Sequence, residues 1–259
     1  FYGLIQGFTE FIPVSSTAHL KILSQIFGIN DPGPSLSAII QIGSVFAIFW
    51  YFRKNILNLH NQNSFKYDQS FFFNKLYKSI FIGTIPIALF GGIIKLFIPK
   101  FSDSFLRSNL SIAVLSILMS LIMLYADISN YKLNNITNHK YKNSLYIGIA
   151  QAFAIIPGVS RSGATISMAL LTGWERTDAA KFSFLLGIPA ISLVAVVEFL
   201  SSINQFSAFP FLPLVLGLFT TFFSSLLAIK FLIKYISSNG LKIFIYYRLV
   251  FGALILLSL

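Results

Sequence analysis

No cysteine occurs in the chain, which removes disulfide frameworks, thiol nucleophiles and thiolate metal sites from consideration. Charge is scarce as well. Charged residues make up only 10%, where a soluble domain carries roughly 25%, and just eight of the 259 residues are acidic. There are three histidines, and no Walker Gly-Lys-Ser/Thr loop, dinucleotide Gly fingerprint, His-Glu-x-x-His or EF-hand pattern is present. ATP hydrolysis and the common metalloprotease and calcium-loop chemistries are therefore excluded.

What is abundant is apolar. Hydrophobic residues reach 56%, with 29 Phe, and the mean hydropathy is +0.77. Runs of about 17–23 apolar residues between short polar loops predict one polytopic helical membrane domain over 1–259 with no separate soluble domain. The net charge of +11 bears on topology more than on nucleic acid, for which no binding is expected.

Polar chemistry interrupts the oily sequence first at Gly3-Leu4-Ile5-Gln6-Gly7-Phe8-Thr9-Glu10-Phe11-Ile12-Pro13-Val14-Ser15-Ser16-Thr17-Ala18-His19, a stretch too polar for a signal-peptide core. Gln6 and Glu10 share a helix face, Pro13 stops that helix, and Ser15-Ser16-Thr17 offers a cap to the next. Neither half is long enough to span a bilayer, so the pair reads as a re-entrant hairpin whose tip lines a polar cavity.

Spans are predicted at Leu36–Phe52, Ile80–Phe97 and Leu110–Ala126, with Gly91-Gly92 allowing close helix contact. The opening grammar then returns at Gly148 to Thr165: Gly3 falls on Gly148 and Gln6 on Gln151, and a one-residue slip brings Pro13 onto Pro157 and Ser16 near Ser160. Three more spans follow, Phe182–Leu200, Phe209–Phe231 and Ile243–Leu259. Each half, about 1–127 and 144–259, is a hairpin plus three spans. An odd number of crossings separates the hairpins, so the halves form an inverted-topology repeat.

Loop cations test this layout. One side carries Arg53, Lys54, Lys66, Lys75, Lys78, Lys132, Lys140, Lys142, Arg176, Lys181, Lys230, Lys234 and Lys242; the other has Lys95, Lys100 and Arg107. The first side is cytoplasmic by that bias, and the first hairpin opens outward. Opposed tips meet near mid-membrane, bringing Glu10, Ser16 and His19 beside Ser160, Arg161 and Thr165.

Glu10 lies among Phe8, Phe11 and Ile12, where an ionisable group is costly unless paired, hydrated or metal-bound. An interfacial Glu is the plainer alternative. Arg161, framed by Ser160, Ser162 and Thr165 just past Pro157-Gly158, suits a phosphate's oxygens, or else a salt bridge to Glu10 that clamps the hairpins. Ser16 is either a helix cap or a nucleophile, with His19 three residues on to orient or deprotonate it. His60 and His139 are expected to be solvated in polar loops, and Glu198 and Arg248 to be interfacial or snorkelling.

Both motifs, Gln6-x-x-x-Glu10 with Pro13-Val14-Ser15-Ser16-Thr17-Ala18-His19 and Pro157-Gly158-Val159-Ser160-Arg161-Ser162-Gly163-Ala164-Thr165, resemble the signatures of the undecaprenyl-diphosphate phosphatases, the bacitracin-resistance proteins. The likeness covers essentially the whole chain. It implies six transmembrane helices and two re-entrant hairpins in a multi-pass protein of the bacterial cytoplasmic membrane, with an outward-facing site that removes the terminal phosphate of undecaprenyl diphosphate. The product is the monophosphate carrier used for peptidoglycan and other envelope polymers.

The resemblance also implies a divalent cation, Mg2+ or Ca2+, with Glu10 as metal ligand or general base and Gln6 beside it as a metal ligand. Ser16 and His19 would be catalytic with Arg161. Ser15, Ser160, Arg161, Ser162 and Thr165 would bind the diphosphate. The attacking group stays open among Ser16, His19 and an activated water. Gln6 stands where many relatives carry a carboxylate, and Ala18 where they often have Gly. The partners implied are a polyprenyl diphosphate lipid and the bilayer, and a homodimer is one assembly such a chain allows. Two competing classes are a polyprenyl-phosphate flippase using the same inverted-repeat pocket and a structural scaffold.

Overall fold

The computed structural model describes residues 1–29, 33–57, 67–98, 101, 104–129, 136, 138–201 and 211–259. Among the described residues there are ten α-helices and no strand. They are α1 (Tyr2–Phe11), α2 (Ser16–Ile26), α3 (Gly33–Leu57), α4 (Tyr67–Phe97), α5 (Asn109–Ile128), α6 (Tyr141–Phe153), α7 (Arg161–Leu171), α8 (Arg176–Ser201), α9 (Phe211–Asn239) and α10 (Lys242–Leu257).

Five of them are long and apolar enough to cross a membrane: Leu36–Arg53, Lys75–Phe97, Asn109–Ile128, Arg176–Ser201 and Leu212–Asn239. The sixth expected span, α10, has 16 residues, about 24 Å at 1.5 Å per residue, short of a hydrocarbon core of roughly 30 Å. Several helices outrun their expected apolar cores. α4 starts at Tyr67, within a stretch expected to be a polar loop.

Packing between the halves is reciprocal. α1 lies on α9 as α6 lies on α4, α3 meets α9 as α8 meets α4, and α3 pairs with α8 and α5 with α10. Small residues make the two hairpin contacts close. A Cβ on Gly148 would fall on the backbone of Gly83, and one on Gly3 or Gly7 would fall on Thr220 or Ser224 of α9. The expected close contact at Gly91-Gly92 is corrected: Gly92 faces open space and Gly91 touches only the Ile155 side chain.

The main core gathers Phe11, Ile48, Met123, Ile147, Ile166, Phe182, Phe184 and Ile229, from seven helices and both halves. It sits directly against the hairpin tips. Phe11 meets Phe184 edge-on at 5.1 Å, which anchors the C-terminal end of α1 to α8.

Candidate active site

The two hairpins break their helices in the same way. Between α1 and α2, and between α6 and α7, the chain passes through the only non-glycine residues of positive φ among those described, Ser15 at 76° and Ser160 at 72°. Such backbone costs about 1–3 kcal/mol per residue and persists only when its surroundings impose it. Each strained serine directly precedes the first residue of a half-helix: Ser16 opens α2 and Arg161 opens α7. Ser15 is therefore the counterpart of Ser160, and the one-residue slip that set Ser16 near Ser160 is corrected. The register of Gly3 on Gly148 and Gln6 on Gln151, carried on without a slip, already sets Ser15 on Ser160; aligning the two prolines displaced it.

The tips are stitched to one another. Gly158 N–H donates to Ser15 Oγ at 3.2 Å, and Ser162 Oγ donates to Ile12 O at 3.2 Å. Within the second tip, Ser160 Oγ caps α7 by accepting from Gly163 N at 3.2 Å. These bonds hold non-helical backbone that lipid could not satisfy.

Glu10 is 7% exposed, and both its oxygens are engaged. Oε1 pairs with Arg161, at 3.1 Å from Nη2 and 3.3 Å from Nε. Oε2 accepts from Ser16 Oγ at 2.8 Å and from Gln6 Nε2 at 2.8 Å. The arrangement bonds a hydroxyl to a carboxylate that a third group orients, the geometry in which a hydroxyl can be activated. Buried ion pairs hold only with such additional hydrogen bonds.

Arg161 is seated from α8. Its Nη1 donates to Ser183 O at 3.1 Å, Thr165 Oγ1 and Ser183 Oγ lie 2.6 Å apart, and Thr165 Oγ1 donates to Arg161 O at 2.8 Å. A Cβ on Gly187 would fall inside the guanidinium, so this glycine is the slot Arg161 passes through. Ser183 and Gly187 were not anticipated. A glycine inside a span was their one visible signal.

His19 does not reach Ser16. Its Nδ1 lies 2.8 Å from Ser15 O, which can only accept, so Nδ1 carries the proton. Nε2 then accepts from Tyr247 Oη at 2.6 Å. The ring stacks on Phe251 at 4.4 Å. The geometry joins Ser16 to Glu10 and makes His19 a brace on the carbonyl preceding Ser16.

Two other expectations are corrected. His139 is 2% exposed rather than solvated; its Nε2 bonds Ser79 Oγ at 2.6 Å and its ring packs on Trp174. Arg248 is fully buried rather than interfacial. Glu198 is partly exposed and pairs with Lys95 at 3.9 Å, as an interfacial residue would. His60 lies outside the described residues.

Donors for a divalent cation are few. No group of three His, Cys, Asp or Glu converges among the described residues. Gln6 Oε1, however, is buried without a partner, next to the Glu10 carboxylate. One carboxylate and one amide oxygen fit a hard cation that keeps several waters and takes its remaining oxygens from a phosphate.

The comparisons with known proteins fall on this frame. The family model described as bacitracin resistance protein BacA matches residues 1–254. Relatives named undecaprenyl-diphosphatase from two Prochlorococcus marinus strains, MIT 9515 and MED4, are 77% and 76% identical over 259 residues, covering all of this chain and 97% of each relative. A similarly named protein of strain NATL1A is 44% identical over 263 aligned positions, covering 94% of its length. With its paired motifs, reciprocal helix packing and match over nearly the full length, the chain belongs to the bacitracin resistance protein BacA family.

Proposed function

We propose that this multi-pass membrane protein hydrolyses undecaprenyl diphosphate to undecaprenyl phosphate and inorganic phosphate, as the names of its relatives state for them. Recycling the lipid carrier in this way sustains peptidoglycan synthesis and confers bacitracin resistance. The observation that carries the reading is the buried chain Ser16–Glu10–Arg161, built from both hairpins.

In this reading Ser16 Oγ attacks the terminal phosphorus while its proton passes to Glu10 Oε2, the atom it already faces at 2.8 Å. The Oγ–P bond forms, the bridging P–O bond breaks, and undecaprenyl phosphate leaves. Water then attacks the phosphoserine phosphorus, the Oγ–P bond breaks, the proton held on Glu10 Oε2 returns to Ser16 Oγ, and inorganic phosphate leaves with the water's oxygen and protons. Neutralising Glu10 dissolves its pairing with Arg161, so the guanidinium's charge becomes available to the phosphoryl oxygens as negative charge accumulates there. The N-termini of α2 and α7 add to the field.

Ser15, Ser160 and Ser162 line the diphosphate cradle, and Thr165 supports it through Arg161 O and Ser183. Glu10 and Gln6 Oε1 would hold the divalent cation, Mg2+ or Ca2+, which when bound supplies further neutralisation of the diphosphate. The lipid tail stays in the bilayer and the head enters from the outer face. Six spans, with α10 as the sixth, and two re-entrant hairpins in an inverted repeat accommodate this, and the reciprocal helix packing supports it. Lipid flipping gains no support from the relatives, whose names are those of hydrolases.

The test is phosphate release by the purified protein from undecaprenyl diphosphate with Mg2+ or Ca2+, against the same sample with chelator. No release with either metal would sink the reading, and unchanged release in chelator would remove the cation from it.

A further inference from the structure

The most deeply buried cation among the described residues is not in either hairpin. Arg248 projects from α10, has no exposed surface, and among the described residues pairs with no carboxylate. An arginine that could snorkel would extend towards water. This one turns inward, and its two terminal nitrogens go to different hairpins. Nη2 donates to Gly158 O at 2.5 Å, and Nη1 donates to Pro13 O at 3.4 Å.

Those two carbonyls occupy the same place in their hairpins. Pro13 stands three residues before Ser16, and Gly158 three residues before Arg161. Both lie in the break where no helical N–H can reach them, at membrane depth where an unsatisfied carbonyl is costly. One planar fork therefore spans the gap between the turn that presents the hydroxyl and the turn that presents the guanidinium. α5, which packs against α10, offers no second fork, since Asn109–Ile128 contains no Lys, Arg or His.

We infer that Arg248 is a positioning residue for the phosphatase reaction: it sets the separation of the two tips, and with it the distances among Ser16, Glu10 and Arg161. It acts through the backbone of both tips and touches none of the reacting atoms. The inference rests on the Glu10–Arg161 site proposed above. An ammonium cannot replace the fork, because a single point donor does not bridge two carbonyls with fixed geometry. A misplacement of about 1 Å at the reacting centre costs on the order of a hundredfold in rate, so the effect belongs in kcat, not in affinity.

The experiment uses the purified full-length protein with undecaprenyl diphosphate and Mg2+, comparing wild type, Arg248→Ala and Arg248→Lys for kcat, KM and thermal midpoint. Expected are folded variants whose kcat falls about a hundredfold while KM moves less than about threefold. Millimolar guanidinium should restore Arg248→Ala at least about tenfold, where methylammonium does not. A strut with no positioning role would lower the thermal midpoint without that selective rescue. A wild-type rate in either variant overturns the inference, as does a loss that guanidinium leaves untouched, or failure of both variants to fold. Wild-type rates in Glu10→Ala and Arg161→Ala would instead sink the underlying site, whatever Arg248 does.

Discussion

Glu10 divides its oxygens between a proton donor and a cation, and the proposed reaction depends on that division. Glu10→Gln keeps the size and a hydrogen-bonding end but removes the base, so kcat should fall by about 10²–10⁴ with little change in KM, read as phosphate release. His19 makes the contrast. With Nδ1 on Ser15 O and Nε2 on Tyr247 Oη, His19→Ala and Tyr247→Phe should each cost only about tenfold, well below the loss in Ser16→Ala, because they loosen a brace and remove no reacting group. If His19→Ala matched Ser16→Ala, the pairing of Ser16 with Glu10 would be wrong. Glu10 and Arg161 were legible because an ionisable group among phenylalanines has few inexpensive explanations. Arg248 met the same criterion, yet which face of α10 it occupies depends on the neighbours of that helix, and no local pattern records them.

At the scale of helices, glycines separate two kinds of contact. Gly148 leaves no room for a Cβ against the backbone of Gly83, whereas Gly92 has open space around it. Gly148→Ala should push α6 off α4 and destabilise the protein by about 1–3 kcal/mol. Gly92→Ala should be neutral or stabilising by up to about 1 kcal/mol, since alanine is the better helix former. Thermal unfolding in detergent distinguishes the two, and equal shifts would contradict the packing of α6 on α4. The sequence shows small residues at both positions, and only the crossing partner decides which one matters. The hairpin break was easier to anticipate from Pro13 and Pro157. The positive φ of Ser15 and Ser160 was not, because it is imposed by bonds between the tips that link positions far apart in the chain.

For the whole molecule, the inverted repeat turns on whether the second hairpin enters and leaves on one face. Between the α4–α5 connection and the α9–α10 turn lie three long apolar helices, α5, α8 and α9, and the pair α6 and α7. If that pair is re-entrant, the two connections face opposite sides of the membrane. If it crosses, they face the same side. The natural absence of cysteine makes the question accessible with single substitutions. Ser104→Cys should react with a membrane-impermeant maleimide in intact cells, and Ser238→Cys only after permeabilisation, since the side assigned to Ser238 carries thirteen loop cations against three on the side of Ser104, and the cation-rich side stays inside. Labelling of both in intact cells would abolish the opposed entry of the hairpins, and with it the reason for their tips to meet in the middle of the bilayer. The opposite pattern, with Ser238→Cys alone accessible, would keep the repeat but turn the proposed site towards the cytoplasm. The diphosphate head would then enter from the cytoplasmic face.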